Sequence, residues 1–271
     1  MNKNYDELRF TDDFLFCKIL ENNIDLCKEL LELILKVKIS RIVFVEKQKT
    51  IEMTSDGKGI RMDVYLEDDA KKVYNIEMQT TVKKNLPKRS RYYQAMIDLN
   101  LIEKGSNYRE LKQSYVIFIC LKDIFGKGLP VYTFENQCKE CKDLSLGDET
   151  TKIFINASGH SQDLSDEMRD FLNYLVGKSA ESDFVKKIES EVQKAQTQER
   201  WRLEYMTLYE RDMENREEGR EEGREEGQIM QLYSLIKKGL ISYEQAYEEV
   251  SENMTEAEFK ERLAICKENK N

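Results

Sequence analysis

The pattern of apolar and polar positions in the first third of the chain predicts one helix followed by three strands. From Thr11 to about Val37 the apolar residues recur at spacings of three and four, which is typical of an amphipathic helix with Thr11 or Asp12 as its N-cap. The segment ISRIVFVEKQKTI is strand-like. The segments GIRMDVYLED and KKVYNIEMQTT are predicted strands joined by a turn at residues 68–70.

A second helix and a buried strand follow. Pro87 opens the predicted helix PKRSRYYQAMIDLNLIEKG, and Gly105 lies just past its end. The wholly apolar run SYVIFICL suits a central strand that is buried on both faces. VYTFEN and TKIFINA look like two further short strands, and DLSDEMRDFLNYLVG has helical spacing with Asp163 or Ser165 as a cap. The predicted class is α/β, with an α-helical C-terminal extension.

The C-terminal third changes in character. Residues 182–215 are charged and helix-prone, and residues 216–227 form the four-residue repeat REEGREEGREEG. The end of the chain carries two capping boxes, each a Ser or Thr followed three residues later by Gln or Glu. We predict a core domain at 1–177, a charged helical arm at 178–227 and a small helical unit at 228–271.

Composition excludes several classes of protein. With 40% hydrophobic residues in 271, the chain can build one substantial core, and no run approaches the roughly 20 apolar residues of a membrane helix. The start MNKNYDELRF lacks the apolar stretch of a signal peptide, so we expect a soluble, cytoplasmic protein. The only histidine, His160, lies in a turn-like polar stretch. Mechanisms that need a histidine pair or a Ser-His-Asp relay are therefore disfavoured, and any catalysis should depend on carboxylates.

The six cysteines fit a reducing compartment. Cys17, Cys27, Cys120 and Cys266 lie in helix- or strand-like runs and are interpreted as small buried apolar residues. The remaining two, at 138 and 141, form a lone C-x-x-C without the second pair that a structural zinc site requires.

The net charge of −9 is unevenly distributed. Residues 1–130 carry 23 basic and 20 acidic side chains, whereas residues 131–271 carry 20 basic and 32 acidic ones. The acidic balance therefore belongs to the C-terminal half and does not argue against a polyanionic ligand at the N-terminal half.

The predicted hairpin RMDVYLEDDAKKVYNIEMQ carries a carboxylate on each strand, Asp63 and Glu77. Residues that oppose each other in an antiparallel pair share a face. Asp63 and Glu77 can face each other only across an odd turn of three or five residues, or with a bulge. Their Cβ atoms would then lie about 5 Å apart, so that both carboxylates could reach one divalent cation. An even turn without a bulge would place them on opposite faces.

Two interpretations of these acids are open, ordinary charges on a solvated sheet face or a metal site. The following segment favours the second, because no acidic residue occurs between Met78 and Ile97 while basic and aromatic residues are interleaved. The candidate DNA-binding residues in this segment are Lys83, Lys84, Lys88, Arg89, Arg91 and Tyr92. A basic run of this kind is also typical of a solvated helix face, and packing in the core is an alternative role for Tyr92.

The order of elements and these residues resemble the PD-(D/E)XK nuclease superfamily, and within it the recombination-promoting nucleases or putative transposases. The resemblance runs through TDDFLFCKIL, RMDVYL, YNIEMQ, RSRYYQAMI, EKGSNYRELKQSYVIFIC and IFGKGLPVYTFEN to the EEG repeats. It implies a restriction-endonuclease-like core of helix, three-strand meander, helix and strand, with extra strands. The catalytic motif of the family matches Asp63, Glu77 and Gln79, and the acid of its first helix matches Asp13.

The resemblance implies a bacterial, Mg²⁺- or Mn²⁺-dependent deoxyribonuclease in which Asp63 and Glu77 bind the metal. Gln79 stands where most of the superfamily has lysine, and its amide can only orient water or phosphate. The electrostatic work then falls to the metal and to nearby cations, with Lys88 and Arg91 as candidates. For Arg91 a structural pairing with an acid in the sheet is equally open. The family often has lysine after the Phe that corresponds to Phe16, where this chain has Cys17.

Two further questions stay open at the level of sequence. The repeat has two interpretations. It is a helical arm, which sets the geometry of a dimer or presents a recognition unit, or it is a solvated spacer with no binding role. The function is either DNA cleavage, linked to recombination, mobile elements or defence, or DNA binding and regulation by a nuclease fold with little or no cleavage. An antagonist that pairs with a related nuclease through the acidic tail is a third possibility.

Overall fold

The computed structural model of the protein describes residues 3–51, 60–179 and 181–268. The helices are α1 (Asp13–Asn22), α2 (Ile24–Leu35), α3 (Leu86–Leu101), α4 (Asp166–Leu175), α5 (Asp183–Gln196), α6 (Glu199–Lys237), α7 (Tyr243–Glu248) and α8 (Glu256–Glu268). The strands are β1 (Ile42–Ile51), β2 (Ile60–Asp68), β3 (Val73–Gln79), β4 (Ser114–Cys120), β5 (Val131–Phe134) and β6 (Thr150–Asn156). The chain divides into two compact units, residues 1–202 and 203–271, and the predicted three-part division stays a prediction.

The six strands of the first unit form one mixed sheet in the order β1-β2-β3-β4-β6-β5. The first three strands form an antiparallel meander, β3, β4 and β6 run parallel, and β5 is antiparallel to β6. In β4 every residue from Val116 to Cys120 is buried, as its apolar run predicts for a central strand. This topology confirms the predicted order of helix, strand meander, helix and strand.

The predicted first helix is two helices. Asn23 separates α1 from α2 with a non-helical backbone, and its side-chain oxygen accepts a hydrogen bond from the backbone N–H of Leu26 at 3.0 Å. Asn23 therefore caps the second helix and ends the first, because a short polar side chain satisfies an N–H that the helix leaves unbonded. The apolar spacing alone could not reveal this break, since both helices bury the same kind of face.

Helix α3 covers the sheet over the region that contains the candidate site. Pro87 lies in its first turn, as predicted, where the absence of an N–H costs nothing. Buried side chains of α3 pack with strand residues in one core cluster, and the ring of Tyr93 lies 6.2 Å from that of Phe118 on β4. Helix α1 contacts β1 and β2. The N-terminal end of α1 and the first turns of α3 are therefore both available to contribute side chains to the sheet.

The C-terminal unit has a small core of its own. Ile229 and Leu232 of α6 pack with Ala246, Val250 and Phe259 from the following helices. Both predicted capping boxes form: Ser242 with Gln245, and Thr255 with Glu258. Cys266 is partly rather than fully buried against this core.

The glycine repeat lies entirely within α6. Residues 216–227 are helical, and all of them are exposed except the half-buried Glu225. Apart from the helix itself, no described atom lies within 4 Å of the position a Cβ would take on Gly219, Gly223 or Gly227. Within the part of the chain that the structure describes, no helix is both long and apolar enough to cross a membrane.

Candidate active site

The register of the β2–β3 hairpin, continued by one position, sets Asp63 opposite Glu77. The pairs run from Glu67 with Val73 to Val64 with Ile76, which leaves a five-residue turn at 68–72. One step further outward in the same register are Asp63 and Glu77. Opposed residues in an antiparallel pair share a face, so the condition set by the sequence is met.

Asp68 fixes the length of this turn. Its Oδ1 accepts a hydrogen bond from the backbone N–H of Lys72 at 2.8 Å, and its Oδ2 accepts one from the hydroxyl of Tyr74 at 2.7 Å. Lys71 adopts a left-handed backbone with φ of 64°, which lets the chain reverse within five residues. The register of the two carboxylates thus depends on a buried side chain at the opposite end of the hairpin.

The two carboxylates bond across the hairpin to each other's strands. Glu77 Oε1 accepts a hydrogen bond from the backbone N–H of Asp63, and Asp63 Oδ2 accepts one from the backbone N–H of Met78, both at 3.0 Å. At this end of the hairpin, side-chain oxygens thus accept the hydrogen bonds of backbone N–H groups. Glu77 is 1% exposed and Asp63 8% exposed, so neither is an ordinary charge on a solvated face.

Arg89 of α3 provides the positive charge nearest to Glu77. Its Nη2 lies 2.6 Å from Glu77 Oε2, and its guanidinium group lies over the rings of Tyr93 and Phe118. A planar guanidinium stacks on aromatic faces and bonds a carboxylate at the same time. The partner of the sheet acid is therefore Arg89, whereas Arg91, for which this role was an open alternative, is exposed.

The side-chain amide of Gln79 forms hydrogen bonds within the protein. Its Nε2 donates to the backbone oxygen of Thr81 at 2.9 Å, and its Oε1 accepts a long hydrogen bond from Arg89 Nη1 at 3.5 Å. The side chain is 6% exposed. Gln79 thus connects the end of β3 to the guanidinium that holds Glu77, a role that a lysine could not fill because it has no acceptor.

A group of possible metal ligands lies beside Asp63. One ligand atom each from Asp13, Cys17 and Asp63 lie within 4.8 Å of one another. Among the described residues no hydrogen bond reaches Asp63 Oδ1, although this side chain is nine-tenths buried. A carboxylate oxygen that accepts no hydrogen bond from these residues is available to a divalent cation, which takes hard oxygen ligands.

Glu77 lies outside that group of three. Its Oε1 is bonded to the backbone of Asp63 and its Oε2 to Arg89. The predicted pairing of Asp63 and Glu77 on one ion stays a prediction. Asp13, which matches the family's first acid, lies with Asp63, and its carboxylate is 3.8 Å from the guanidinium of Arg61.

The electrostatics of the pair follow from its burial. Burial, then the negative charges of Glu77 and Asp13, raise the pKa of Asp63 to about 8. Burial also raises the pKa of Glu77 to about 7, although the Arg89 guanidinium acts in the opposite direction. Arg89 therefore compensates Glu77 directly, whereas no cation of the described residues forms an ion pair with Asp63.

The predicted DNA-binding residues lie before and along the first turns of α3. Lys83, Lys84, Lys88 and Arg91 are exposed, whereas Arg89 is half-buried at the site. The prediction that Tyr92 packs in the core is wrong. Tyr92 is 38% exposed, whereas its neighbour Tyr93 is only 5% exposed. The helical period decides this, since Tyr93 is four residues after Arg89 and shares its inward face.

Sequence reasoning missed two features of the site. Cys17 was interpreted only as an apolar core residue, yet it shares a helix face with Asp13 four residues earlier, and that spacing is the signal that could have revealed it. Arg89 was assigned to DNA. Its spacing of four from Tyr93 was visible, but its contact with Glu77 needed the packing of α3 on β3.

We expect the metal-free protein to lose stability as pH rises from about 5 to about 9. The pKa values of Asp63 and Glu77 are raised in the folded state, so the folded protein binds more protons than the unfolded chain in this window. The free energy of unfolding must then fall with rising pH. Asp63→Asn cannot ionise, so it should be more stable than the unmodified protein at pH 9 by at least about 1 kcal/mol, or ~2–4 °C in Tm.

The measurement is urea unfolding in EDTA at several pH values, with the exposed Glu103→Gln as a matched control. The control should follow the unmodified protein across the range. An Asp63→Asn curve parallel to that of the unmodified protein from pH 5 to 9 would show that the carboxylate is not destabilised by burial.

Comparison with known proteins gives one family. Residues 10–224 match the family model described as PD-(D/E)XK nuclease family transposase, which covers more than half of the chain. No curated protein and no solved structure matches the chain. The mixed sheet and its helices are consistent with the restriction-endonuclease-like fold of that superfamily. With its two hairpin acids buried together and Asp13 beside them, the chain belongs to the PD-(D/E)XK nuclease family of transposases.

Proposed function

We propose that the protein is a metal-dependent DNA endonuclease that hydrolyses phosphodiester bonds. One observation carries the proposal: in a chain of this family, Asp13 and the under-bonded buried Asp63 converge from separate elements beside Glu77. Cytoplasmic action in a bacterium, in recombination, mobile-element biology or defence, forms part of the proposal. The six free cysteines support a reducing compartment.

Asp13 and Asp63 would hold a Mg²⁺ or Mn²⁺ ion, and Glu77 is the further ligand that the sequence predicts. The bound ion would supply Lewis-acid polarisation of the phosphodiester and lower the pKa of a bound water. Arg89 orients Glu77 and favours its ionised form, and Gln79 holds Arg89 by its amide oxygen. Neither Gln79 nor Arg89 can accept a proton at neutral pH, so general-base chemistry by the chain falls to the carboxylates.

A second function has its own support. Both oxygens of Glu77 are already bonded within the protein, one of them to a guanidinium at 2.6 Å. A carboxylate held in this way favours a DNA-binding or regulatory protein that cleaves weakly or not at all. Cleavage is the discriminating measurement, because DNA binding is expected under both functions.

We expect the purified protein to nick supercoiled plasmid in Mg²⁺ or Mn²⁺ and not in EDTA. Asp63→Asn and Glu77→Gln should each lower the rate by at least about 100-fold, because each removes a negative charge that a metal centre needs while the side-chain size is kept. Gel assays of nicked and linear product measure the rate.

Glu103→Gln is the matched control, since it makes the same chemical change on an exposed carboxylate away from the site. It should cleave like the unmodified protein. Nicking that survives equally in Asp63→Asn and Glu77→Gln would point to a contaminating nuclease. Absent nicking by a folded, DNA-binding protein would favour the second function.

The DNA backbone is proposed to follow the exposed basic residues before and along the first turns of α3, namely Lys83, Lys84, Lys88 and Arg91, with Tyr92 beside them. No acidic residue interrupts this segment, and it leads directly to Arg89 at the site. Cations on phosphates release counterions, so each contact contributes to the salt dependence of binding.

The double variant Lys84→Gln/Lys88→Gln should weaken DNA binding for every sequence and reduce the slope of log affinity against log salt by about 1 per lost contact. Fluorescence anisotropy in Ca²⁺ or EDTA measures binding without cleavage. Lys104→Gln, past the opposite end of α3, is the control and should leave the slope unchanged. An equal slope in both variants would remove this surface from the proposal.

The third element of the proposal is a dimer formed through the arm that contains the glycine repeat. The support is local: the repeat is helical, its three glycines face open space, and each unit carries one Arg and two Glu. Such a surface lets another helix approach closely, and opposite charges can pair between copies. The solvated-helix alternative predicts no association.

Multi-angle light scattering should give twice the chain mass at tens of micromolar protein. Replacing Gly219, Gly223 and Gly227 with Ala should raise helix stability by up to about 1 kcal/mol per site but weaken the dimer, because the methyl groups keep the partner helix away. A monomer at all concentrations, or an alanine variant that associates equally well, contradicts the proposed contact.

A further inference from the structure

Cys17 directs its sulfur toward the two acids of the centre. It follows Asp13 by one helical turn on α1, and its Sγ lies 3.9 Å from Asp13 Oδ1. One ligand atom of Asp63, from the sheet, lies within 4.8 Å of the ligand atoms of both. Residues four apart share a helix face, so the sulfur and the Asp13 carboxylate are presented together by one rigid element.

The environment of Cys17 differs from that of the other buried cysteine in this helical pair. The Cys27 thiol donates to the backbone oxygen of Leu20 at 2.8 Å and is thereby satisfied within the fold. Cys17 is 1% exposed, and within the described part of the chain its thiol donates to a carboxylate oxygen, Asp13 Oδ1. Packing requires a small apolar side chain at this position, but it does not require a sulfur turned toward two carboxylates.

A second observation concerns Asp63, the ligand that the sheet contributes. Asp63 is nine-tenths buried, and Met78 bonds only one of its oxygens, so Oδ1 has no donor among the described residues. Asp13 forms an ion pair with Arg61 at 3.8 Å, and both of these side chains are more than half exposed. An exposed ion pair of this length contributes little and does not prevent Asp13 from binding an ion.

We propose that Cys17 is a ligand of this centre, together with Asp13 and Asp63, and that the centre therefore binds Zn²⁺ and Co²⁺ more tightly than Mg²⁺. Mg²⁺ takes oxygen ligands in octahedral geometry, whereas a thiolate selects ions later in the first transition row. When the ion binds, a metal–sulfur bond replaces the S–H bond and the proton goes to solvent. The inference deepens the proposed metal centre and rests on it, but it does not require cleavage.

The test uses the full-length protein without DNA, in a background of Cys138→Ser and Cys141→Ser, which removes the C-x-x-C pair. Titration with Co²⁺ should produce a sulfur-to-cobalt charge-transfer band in the near ultraviolet. Cys17→Ser should abolish the band and lower the Co²⁺ affinity by at least about 10-fold. The same variant should leave Mg²⁺ affinity, measured by competition, nearly unchanged.

Cys27→Ser is the matched control, because it removes an equally buried thiol that faces a backbone carbonyl. It should keep the band. Asp63→Asn keeps every thiol of the background protein, and it should nevertheless lose Co²⁺ binding. Circular dichroism establishes that each variant is folded.

X-ray absorption at the cobalt edge of the background protein keeps the inference testable even if Cys17→Ser does not fold. One sulfur in the first coordination sphere is expected, and an all-oxygen sphere overturns the inference. A band that persists in folded Cys17→Ser, or no Co²⁺ binding by the background protein, also overturns it. If the protein nicks plasmid but its cobalt site has only oxygen ligands, the Cys17 inference is rejected and the endonuclease proposal stands. If the cobalt site has a sulfur ligand but the protein does not nick plasmid, the endonuclease proposal is rejected and the Cys17 inference stands.

Discussion

Five residues, 68 to 72, lie between the last β2–β3 pair, Glu67 with Val73, and this odd number is the constraint on which the candidate site depends. Side chains alternate along a strand, so a turn shorter or longer by one residue would turn one of the two acids to the opposite face of the sheet. Asp68 maintains the length by bonding Lys72 and Tyr74. The register in turn brings Asp63 and Glu77 close enough for each to bond the strand of the other.

Burial of two carboxylates in one register pair creates an imbalance of charge. Arg89 balances Glu77, and it is held in place by the aromatic rings of Tyr93 and Phe118 and by Gln79. Among the described residues, Asp63 is bonded by a backbone N–H on one oxygen and forms no ion pair. The raised pKa of Asp63 follows from its burial and from the negative charges of Glu77 and Asp13. A divalent cation between Asp63 and Asp13 is the kind of ligand that would correct this imbalance.

The replacement of lysine by Gln79 becomes understandable in this arrangement. A lysine would add a second positive charge beside Arg89, and it has no acceptor for the guanidinium. Gln79 instead accepts from Arg89 and donates to Thr81, so it links β3 to α3 through Arg89. The residue keeps a place beside the pair of acids but acts on them through the position of Arg89.

Local patterns predicted much of the fold and the identity of the principal acids. Period-two alternation located the hairpin strands, the apolar run located β4, and Pro87 located the start of α3. The failures share a cause, since each depended on which neighbour a side chain meets. Asn23 looked like one polar residue within a helix, yet its oxygen caps the next one. Tyr92 and Tyr93 were equivalent by composition, and only the contact of α3 with β4 distinguishes them.

The sequence by itself determined which residues could carry chemistry: carboxylates at 13, 63 and 77, a single histidine away from them, and a basic segment before and in α3. It also stated the geometric condition that the two hairpin acids had to meet. Only the tertiary structure decided that Arg89 is the cation at Glu77, that Cys17 lies with Asp13 and Asp63, and that Asp63 takes a hydrogen bond from the described residues on one oxygen alone. The physical reason is that periodicity assigns each side chain to a face of its own element. Distances between elements are set by packing, which no local pattern contains.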